Sequence, residues 1–307
     1  MMKKIYIVAI LFTVVFFSCE EESDIQFNQY VVNSFFSEGV PFLIQTTNTV
    51  SVFDTATYFS IKDMEGELYE DSELVGDLVF QDSYEREGFP SEVPEGYSVN
   101  GFTPQPGKEY RFELRHGEIT ITGSDIIPDA VDFTITDTST VLDDYDLMTE
   151  GIECLINFND PPNEDNYYLL GYNVTDFSDT NDDIGWTQAY GWMKSDDPAI
   201  ENSYYQQGLL FTAYRFIFSD QYFNGKEYTI PVSFFVGHNS GRRKDLNIYL
   251  ISISEQYYKY VTSAINQQEN NDDYYAEPTQ VYNNISNGFG IFAGFSVSKY
   301  VMEFGVR

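Results

Sequence analysis

The chain has 307 residues and carries 49 acidic against 16 basic side chains, a formal net charge of −33 at pH 7. That balance argues against nucleic acid and anionic lipid as partners, because both attract cationic surfaces. With 25 tyrosines and 26 phenylalanines the composition points to a β-rich protein, long enough for one large domain or two ordinary ones.

Residues 1–18 read as a signal peptide. Lys3 and Lys4 form a positive head, Ile5 to Phe17 is a 13-residue apolar stretch, and Ser18 is the small residue before a cleavage point. A membrane-spanning helix needs about 20 apolar residues, so the stretch is too short to span. Ser18-Cys19 resembles a bacterial lipoprotein signal, in which the cysteine becomes the first mature residue. That resemblance implies a covalent lipid on Cys19 and an outer-membrane anchor. Glu20-Glu21-Glu22 resembles the surface-export signals of Bacteroidota lipoproteins, and residues 19–28 read as an acidic tether. Loss of Lys3 and Lys4 leaves 14 basic against 49 acidic side chains, a charge of −35. With Cys19 lipidated, Cys154 is the remaining thiol and no intramolecular disulfide can form.

Residues 29–126 are expected to form an immunoglobulin-like β-sandwich. Gln29 to Phe36, a Gly39 turn and Pro41 to Gln45 predict an opening hairpin. Further strands are predicted over 57–62, 67–69, 78–80, 97–102, 110–115 and 118–122. Pro104 to Gly107 set a turn, after which Tyr110, Phe112 and Leu114 alternate with Arg111 and Glu113; His116-Gly117 turns the chain into the next strand. Pro128 holds Ile127 extended and marks the boundary.

Residues 127–307 are expected to form a larger β-rich domain with one or two short helices. Strands are predicted over 131–135, 152–158, 167–174, 185–194, 209–218, 227–236 and 245–253. In the second of these, Cys154 shares a face with Ile152, Ile156 and Phe158, which makes it a buried hydrophobe. A helix is predicted over 254–268, with Ser254 as its cap, Glu255 in the first turn, and Tyr257, Tyr260 or Val261, Ala264 and Ile265 on one face. Asn287-Gly288 fits a tight turn, and Gly290 permits an unusual backbone angle before a buried strand.

Catalytic patterns do not emerge. His116 and His238 are too few for histidine-rich metal sets and belong to no His-Glu-x-x-His helix. Asp176, Asp179, Asp182 and Asp183 lack the spacing of an EF-hand and read as a solvated loop. No Gly-x-Ser-x-Gly elbow lies near either histidine, and 49 acids select no carboxylate pair. No enzymatic activity, metal or cofactor is expected beyond the lipid. Binding is better supported: Tyr167, Tyr168, Trp186, Tyr190, Trp192, Tyr204 and Tyr205 flank polar loops, where exposed rings would stack on sugars or meet a protein. Their alternative is sheet packing. His238 to Lys244 is a basic island, placed by Gly241 at the tip of a hairpin following Phe234-Phe235-Val236.

The Cys19 signal, Pro106-Gly107-Lys108-Glu109-Tyr110, Asp160-Pro161-Pro162 with Asn166-Tyr167-Tyr168, and Asn284-Ile285-Ser286-Asn287-Gly288-Phe289-Gly290-Ile291-Phe292 occur in this order. Together they resemble the Bacteroidota lipoproteins grouped as domain of unknown function 4249. The resemblance implies a cell-envelope protein found beside TonB-dependent outer-membrane receptors. It implies a surface accessory or capture subunit with an outer-membrane receptor as partner, or else an independent glycan or peptide binder. It transfers no catalytic residue.

Overall fold

A computed structural model describes residues 29–40, 42–49, 59–84, 93–142, 149–178, 181–188, 192–206, 213–238, 244–271 and 279–304. The protein is mainly β. In chain order its strands are β1 (Tyr30–Phe36), β2 (Gln45–Asn48), β3 (Glu65–Glu70), β4 (Glu73–Gln81), β5 (Gly96–Ser98), β6 (Glu109–His116), β7 (Ile119–Ile126), β8 (Phe133–Leu142) and β9 (Thr149–Asn159). They continue as β10 (Tyr167–Ser178), β11 (Asn181–Gln188), β12 (Met193–Lys194), β13 (Asn202–Gln206), β14 (Ala213–Ser219), β15 (Glu227–His238), β16 (Lys244–Ile253) and β17 (Phe289–Phe304). One helix, α1 (Glu255–Asn271), occurs among the described residues.

An eight-stranded sheet, in the order β13-β14-β10-β16-β17-β1-β2 with β11 on β10, forms the backbone of the molecule. Its alternating residues divide between two environments, as the strand period of two requires. On one face, Phe292 of β17 joins a core with Val32 and Phe36 of β1 and with Leu68, Leu78, Tyr110, Phe112 and Leu114 of the five-stranded sheet β5-β4-β3-β6-β7. Further along the same face, Leu246, Ile248 and Leu250 of β16 join Tyr168, Leu170 and Tyr172 of β10 in a second core. The four-stranded sheet β12-β15-β9-β8 covers it. On the opposite face Ile251, Ile253, Ile291, Ala293 and Phe295 pack against Tyr257, Val261 and Ile265 of α1.

β17 reaches all three cores, its partly buried Met302 packing against the second. Its first half pairs in parallel with β1, Val31 opposite Phe289 through Phe36 opposite Gly294, while β16 runs antiparallel along the second half. The residues expected to divide into 29–126 and 127–307 thus share a sheet. Between the two cores β17 presents Gly294, Ser296 and Ser298, and the connection between β7 and β8 crosses there. Ser296 Oγ donates to the Pro128 carbonyl at 2.6 Å. A Cβ on Gly294 would lie 2.0 Å from the Ile126 carbonyl oxygen, so only glycine admits the crossing. Gly290 is equally constrained, with φ +113° and the Val32 carbonyl oxygen 1.9 Å from any Cβ.

Asp125 pins this crossing. Its buried carboxylate accepts from the Gly294 N–H at 2.9 Å and from the Ser254 hydroxyl. Ser254 Oγ in turn accepts from the Tyr257 N–H at 3.1 Å, the capping bond expected at the start of α1. Burial pushes the Asp125 carboxyl up to about 7, against the lowering effect of Ser254 and the Gly294 and Ile126 N–H groups.

Two local expectations need correction. Residues 57–62 do not form a strand where described; Ser60 makes an isolated bridge to Thr47. β15 and β16 are not a hairpin, because β15 pairs with β9 and β12 in the four-stranded sheet and β16 with β10 and β17. Both strands are apolar on the face toward the shared core, so the chain crosses between the layers instead of turning back in one. Residues 239–243 of the basic island lie outside the described residues, and Lys244 is buried, its Nζ 3.5 Å from the Val236 carbonyl.

Candidate binding cleft

The β1–β2 turn and the turn after β5 meet at one end of the N-terminal core and enclose a cleft of about 290 Å³. The first turn is closed by Val40 N–H on the Ser37 carbonyl at 3.3 Å, the second by Phe102 N–H on the Val99 carbonyl at 3.2 Å. Each carries glycine at its third position, Gly39 at φ +78° and Gly101 at φ +70°, as a type II turn requires. The lining has two parts. Val40, Phe42, Val99 and Phe102 give an apolar surface, with Phe42 and Phe102 edge-on at 5.9 Å. Gln81, Tyr84, Ser98, Asn100 and Thr103 supply amides, hydroxyls and a ring that is 43% exposed. Gln81 Nε2 donates to Asn100 Oδ1 at 3.2 Å. Among the described residues no Asp, Glu, Lys or Arg lines the cleft.

A second cleft, about 470 Å³, opens along β3 and β4 and is lined by Lys62, Glu65, Glu67, Asp77 and Arg115, among others. Its cations already have partners. Lys62 Nζ meets Asp82 at 3.3 Å and Glu95 at 2.7 Å, and Arg115 meets Glu113 at 3.1 Å and Glu67 at 3.5 Å. Alongside, Arg111 pairs with Glu113 and lies 4.1 Å from the Tyr69 ring centroid. These bonds raise Lys62 and lower Glu95 and Glu113 from their ordinary ranges. The groups neutralise one another on a solvated face, where such pairs are worth little. The uncharged cleft is the better candidate because its polar atoms are less committed.

Of the aromatic residues expected to form a contact surface, the three whose side chains are described, Tyr167, Tyr168 and Trp192, do not gather together. Tyr167 and Tyr168 project to opposite faces of β10. Tyr168 is fully buried against Phe158, Phe218 and Phe223, its hydroxyl donating to Asp160 Oδ1 at 2.6 Å. It belongs to the scaffold. Tyr167 stacks on Tyr258 of α1 at 4.5 Å. Trp192 is 39% exposed and stacks on Phe235 at 5.3 Å, on the outer side of the four-stranded sheet. Trp186 pairs through its backbone with Asp176, and Tyr204 and Tyr205 pair with Arg215 and Tyr214; their side chains are outside the described set, as is all of Tyr190. Cys19 also lies outside the described residues.

Other chemically suggestive groups have structural partners. Cys154 is fully buried with Ile152, Ile156 and Phe158, and burial pushes its thiol up to about 12. His116 Nδ1 lies 2.8 Å from the Tyr30 hydroxyl and Nε2 3.4 Å from Asp63. Ser254 beside Asp125 has the composition of a nucleophile and its orienter, but it is buried and caps α1. Among the described residues no group of three or more His, Cys, Asp or Glu is arranged to hold a metal ion. Asp176, Asp182 and Asp183 lie on the β10–β11 hairpin, while Asp179 is outside the described residues. No helix among the described residues is long and apolar enough to cross a membrane.

The family described as Domain of unknown function (DUF4249) matches residues 17–300. The chain belongs to this family. No curated protein and no solved structure matches it. The segments that carry the DUF4249 resemblance serve as joints of the fold. In the first, the Gly107 N–H donates to the Ile127 carbonyl at 2.7 Å and the Tyr110 hydroxyl to Glu70 at 2.6 Å. In the second, Asp160 receives Tyr168 and also the Gly225 N–H at 2.7 Å, tying the β9–β10 turn to the β14–β15 turn. In the third, Asn284 forms a reciprocal pair with the Phe292 backbone at 2.8 and 3.0 Å. The Ser286 N–H and the Asn287 side chain meet the Thr122 and Thr120 carbonyls, each at 2.8 Å. That last segment covers the outer edge of β7, which would otherwise present unpaired backbone groups.

The cleft residues Gln81, Tyr84, Ser98, Asn100 and Thr103 were not among the sequence candidates. The available signal was the pair of turns Ser37-Glu38-Gly39-Val40 and Val99-Asn100-Gly101-Phe102, whose convergence needs the tertiary fold.

Proposed function

We propose that this protein is a lipid-anchored outer-membrane capture subunit that works beside a TonB-dependent receptor, binding its ligand without chemical conversion. The observation that carries the reading is the cleft. It is a partly polar, partly aromatic site built by two turns at one end of a β core. In this reading residues 29–126 supply an immunoglobulin-like module, with the five-stranded sheet facing β1, β2 and β17, and recognition falls to its loop end as it does in many β-sandwich proteins. Cys19 supplies the anchor, and the family match beginning at residue 17 includes it. Lipid attachment through more than one chain holds such a protein firmly at the surface.

The test is recovery of the tagged, lipidated chain from native envelopes in mild detergent. An outer-membrane receptor is expected to co-purify, and Cys19→Ala is expected to move the chain out of the membrane fraction. Recovery without any receptor would overturn the accessory role. A second reading, an independent surface binder of glycan or peptide, is favoured by the local character of the cleft, whose described lining residues lie between Gly39 and Thr103. It predicts unchanged ligand affinity in the absence of any receptor.

A further inference from the structure

We infer that the cleft between the β1–β2 turn and the 98–103 segment binds a neutral saccharide. This inference rests on the reading of that cleft as the capture site. Among the described residues its lining contains no charged side chain, in a chain with 49 acidic ones. Of the described residues that flank the lining in sequence, Glu38 and Asp82 do not line the cleft, and Asp82 pairs with Lys62. A charged sugar, a nucleotide or a peptide terminus would bring a charge with no partner among these lining residues, at a cost in desolvation. Sugar hydroxyls both donate and accept, and the amides of Gln81 and Asn100 and the hydroxyls of Ser98 and Thr103 offer both functions.

The Tyr84 ring, 43% exposed, provides a flat apolar face for the C–H side of a pyranose. Backbone bonds in both directions between Tyr84 and Val93, at 3.0 and 2.8 Å, fix its position. The volume, about 290 Å³, is at the small end for ligand sites, suited to a short glycan segment. An extended peptide would seek a free strand edge for a backbone ladder. Here the walls are two turns whose closing N–H groups are already bonded.

Saturation-transfer NMR and calorimetry on the full lipidated chain in detergent micelles test the inference. The neutral probes are maltose, cellobiose, lactose and xylobiose; sialyllactose, digalacturonic acid and trialanine represent the competing classes. At least one neutral disaccharide is expected to bind with a Kd of about 1 mM or tighter. Tyr84→Ala and Asn100→Ala should each weaken binding about tenfold, Tyr84→Phe should retain most of it, and Trp192→Ala should leave it unchanged.

Absence of binding by every neutral probe, binding confined to the charged or peptide probes, or affinity indifferent to both cleft variants would each overturn the inference. Receptor co-purification is a separate measurement. Its success beside a failed sugar panel would leave the accessory role standing while removing the saccharide.

Discussion

Replacing Asp125 by Asn should flatten the pH dependence of stability. In the folded chain burial raises this carboxyl to about 7, whereas the unfolded chain releases the proton near 3.8. Below 3.8 both states are protonated and the group contributes no dependence. Between 3.8 and about 7 the folded state holds a proton that the unfolded state has lost, so stability falls as pH rises. Each unit is worth about 1.4 kcal/mol, giving an upper limit of about 4 kcal/mol across the window. Asparagine keeps an oxygen for the Gly294 and Ser254 donors but does not titrate. Relative to the Asp125→Asn variant, the parent should therefore lose up to about 4 kcal/mol between about pH 4 and pH 8, with near equality at the acid end. Asp160, which burial also raises, is present in both proteins and cancels in the difference. Urea unfolding followed by tryptophan fluorescence and circular dichroism at half-unit pH steps measures it. Parallel stability curves across that range would show the carboxylate ionised in the fold and refute the argument.

Gly290→Ala and Gly294→Ala place a methyl 1.9 and 2.0 Å from the backbone oxygens of Val32 and Ile126. Each should cost roughly 3 kcal/mol or more, read as a lowered thermal midpoint, whereas Gly117→Ala, with open space around its Cβ, should lose only the backbone preference of about 1 kcal/mol. Tyr168→Phe deprives buried Asp160 of a 2.6 Å donor and should destabilise by about 1–3 kcal/mol in chemical denaturation. Cys154 should resist Ellman's reagent in the native protein at about pH 8 and react fully in concentrated guanidinium, because its thiol is buried and held neutral; rapid labelling of the folded chain would contradict the packing.

Local pattern carried most of the strands. Alternation over 109–116 and 149–159 reflects one side of each strand meeting an apolar core, the near-continuous apolar run over 244–253 reflects burial on both faces, and Ser254 caps α1 as its side chain and the following periodicity require. The signals failed where a second layer decides. Residues 234–245 look like a hairpin because both flanks are strands and Gly241 lies between them, yet the strands belong to different sheets. Tyr167 and Tyr168 look alike in sequence, and only the pairing of β10 with β14 and β16 sends one into the core and the other against α1. The parallel pairing of β1 with β17 joins residues more than 250 positions apart, a contact that neither segment encodes locally. Residues 97–102 read as one strand, but Gly101 at φ +70° ends the extended run and makes the turn that walls the cleft. The same residue that defeats the strand prediction is what builds the site.

The path of β1 relates that site to the anchor. The chain enters the described fold at Gln29, and at this end Tyr30 contacts His116 at the tip of the β6–β7 hairpin. β1 then runs seven residues, about 20 Å, before the Gly39 turn reaches the cleft. Gln29, where the described chain begins, and the cleft therefore lie at opposite ends of β1. Were Cys19 lipidated as proposed, the roughly ten residues between it and Gln29 would allow at most about 35 Å of reach to the end of β1 remote from the cleft. After the proposed cleavage before Cys19 the charge would be −35, which repels an anionic surface. An anchor on Cys19 would then favour presenting the turns away from that surface, so that a ligand could enter the cleft without passing beneath the protein.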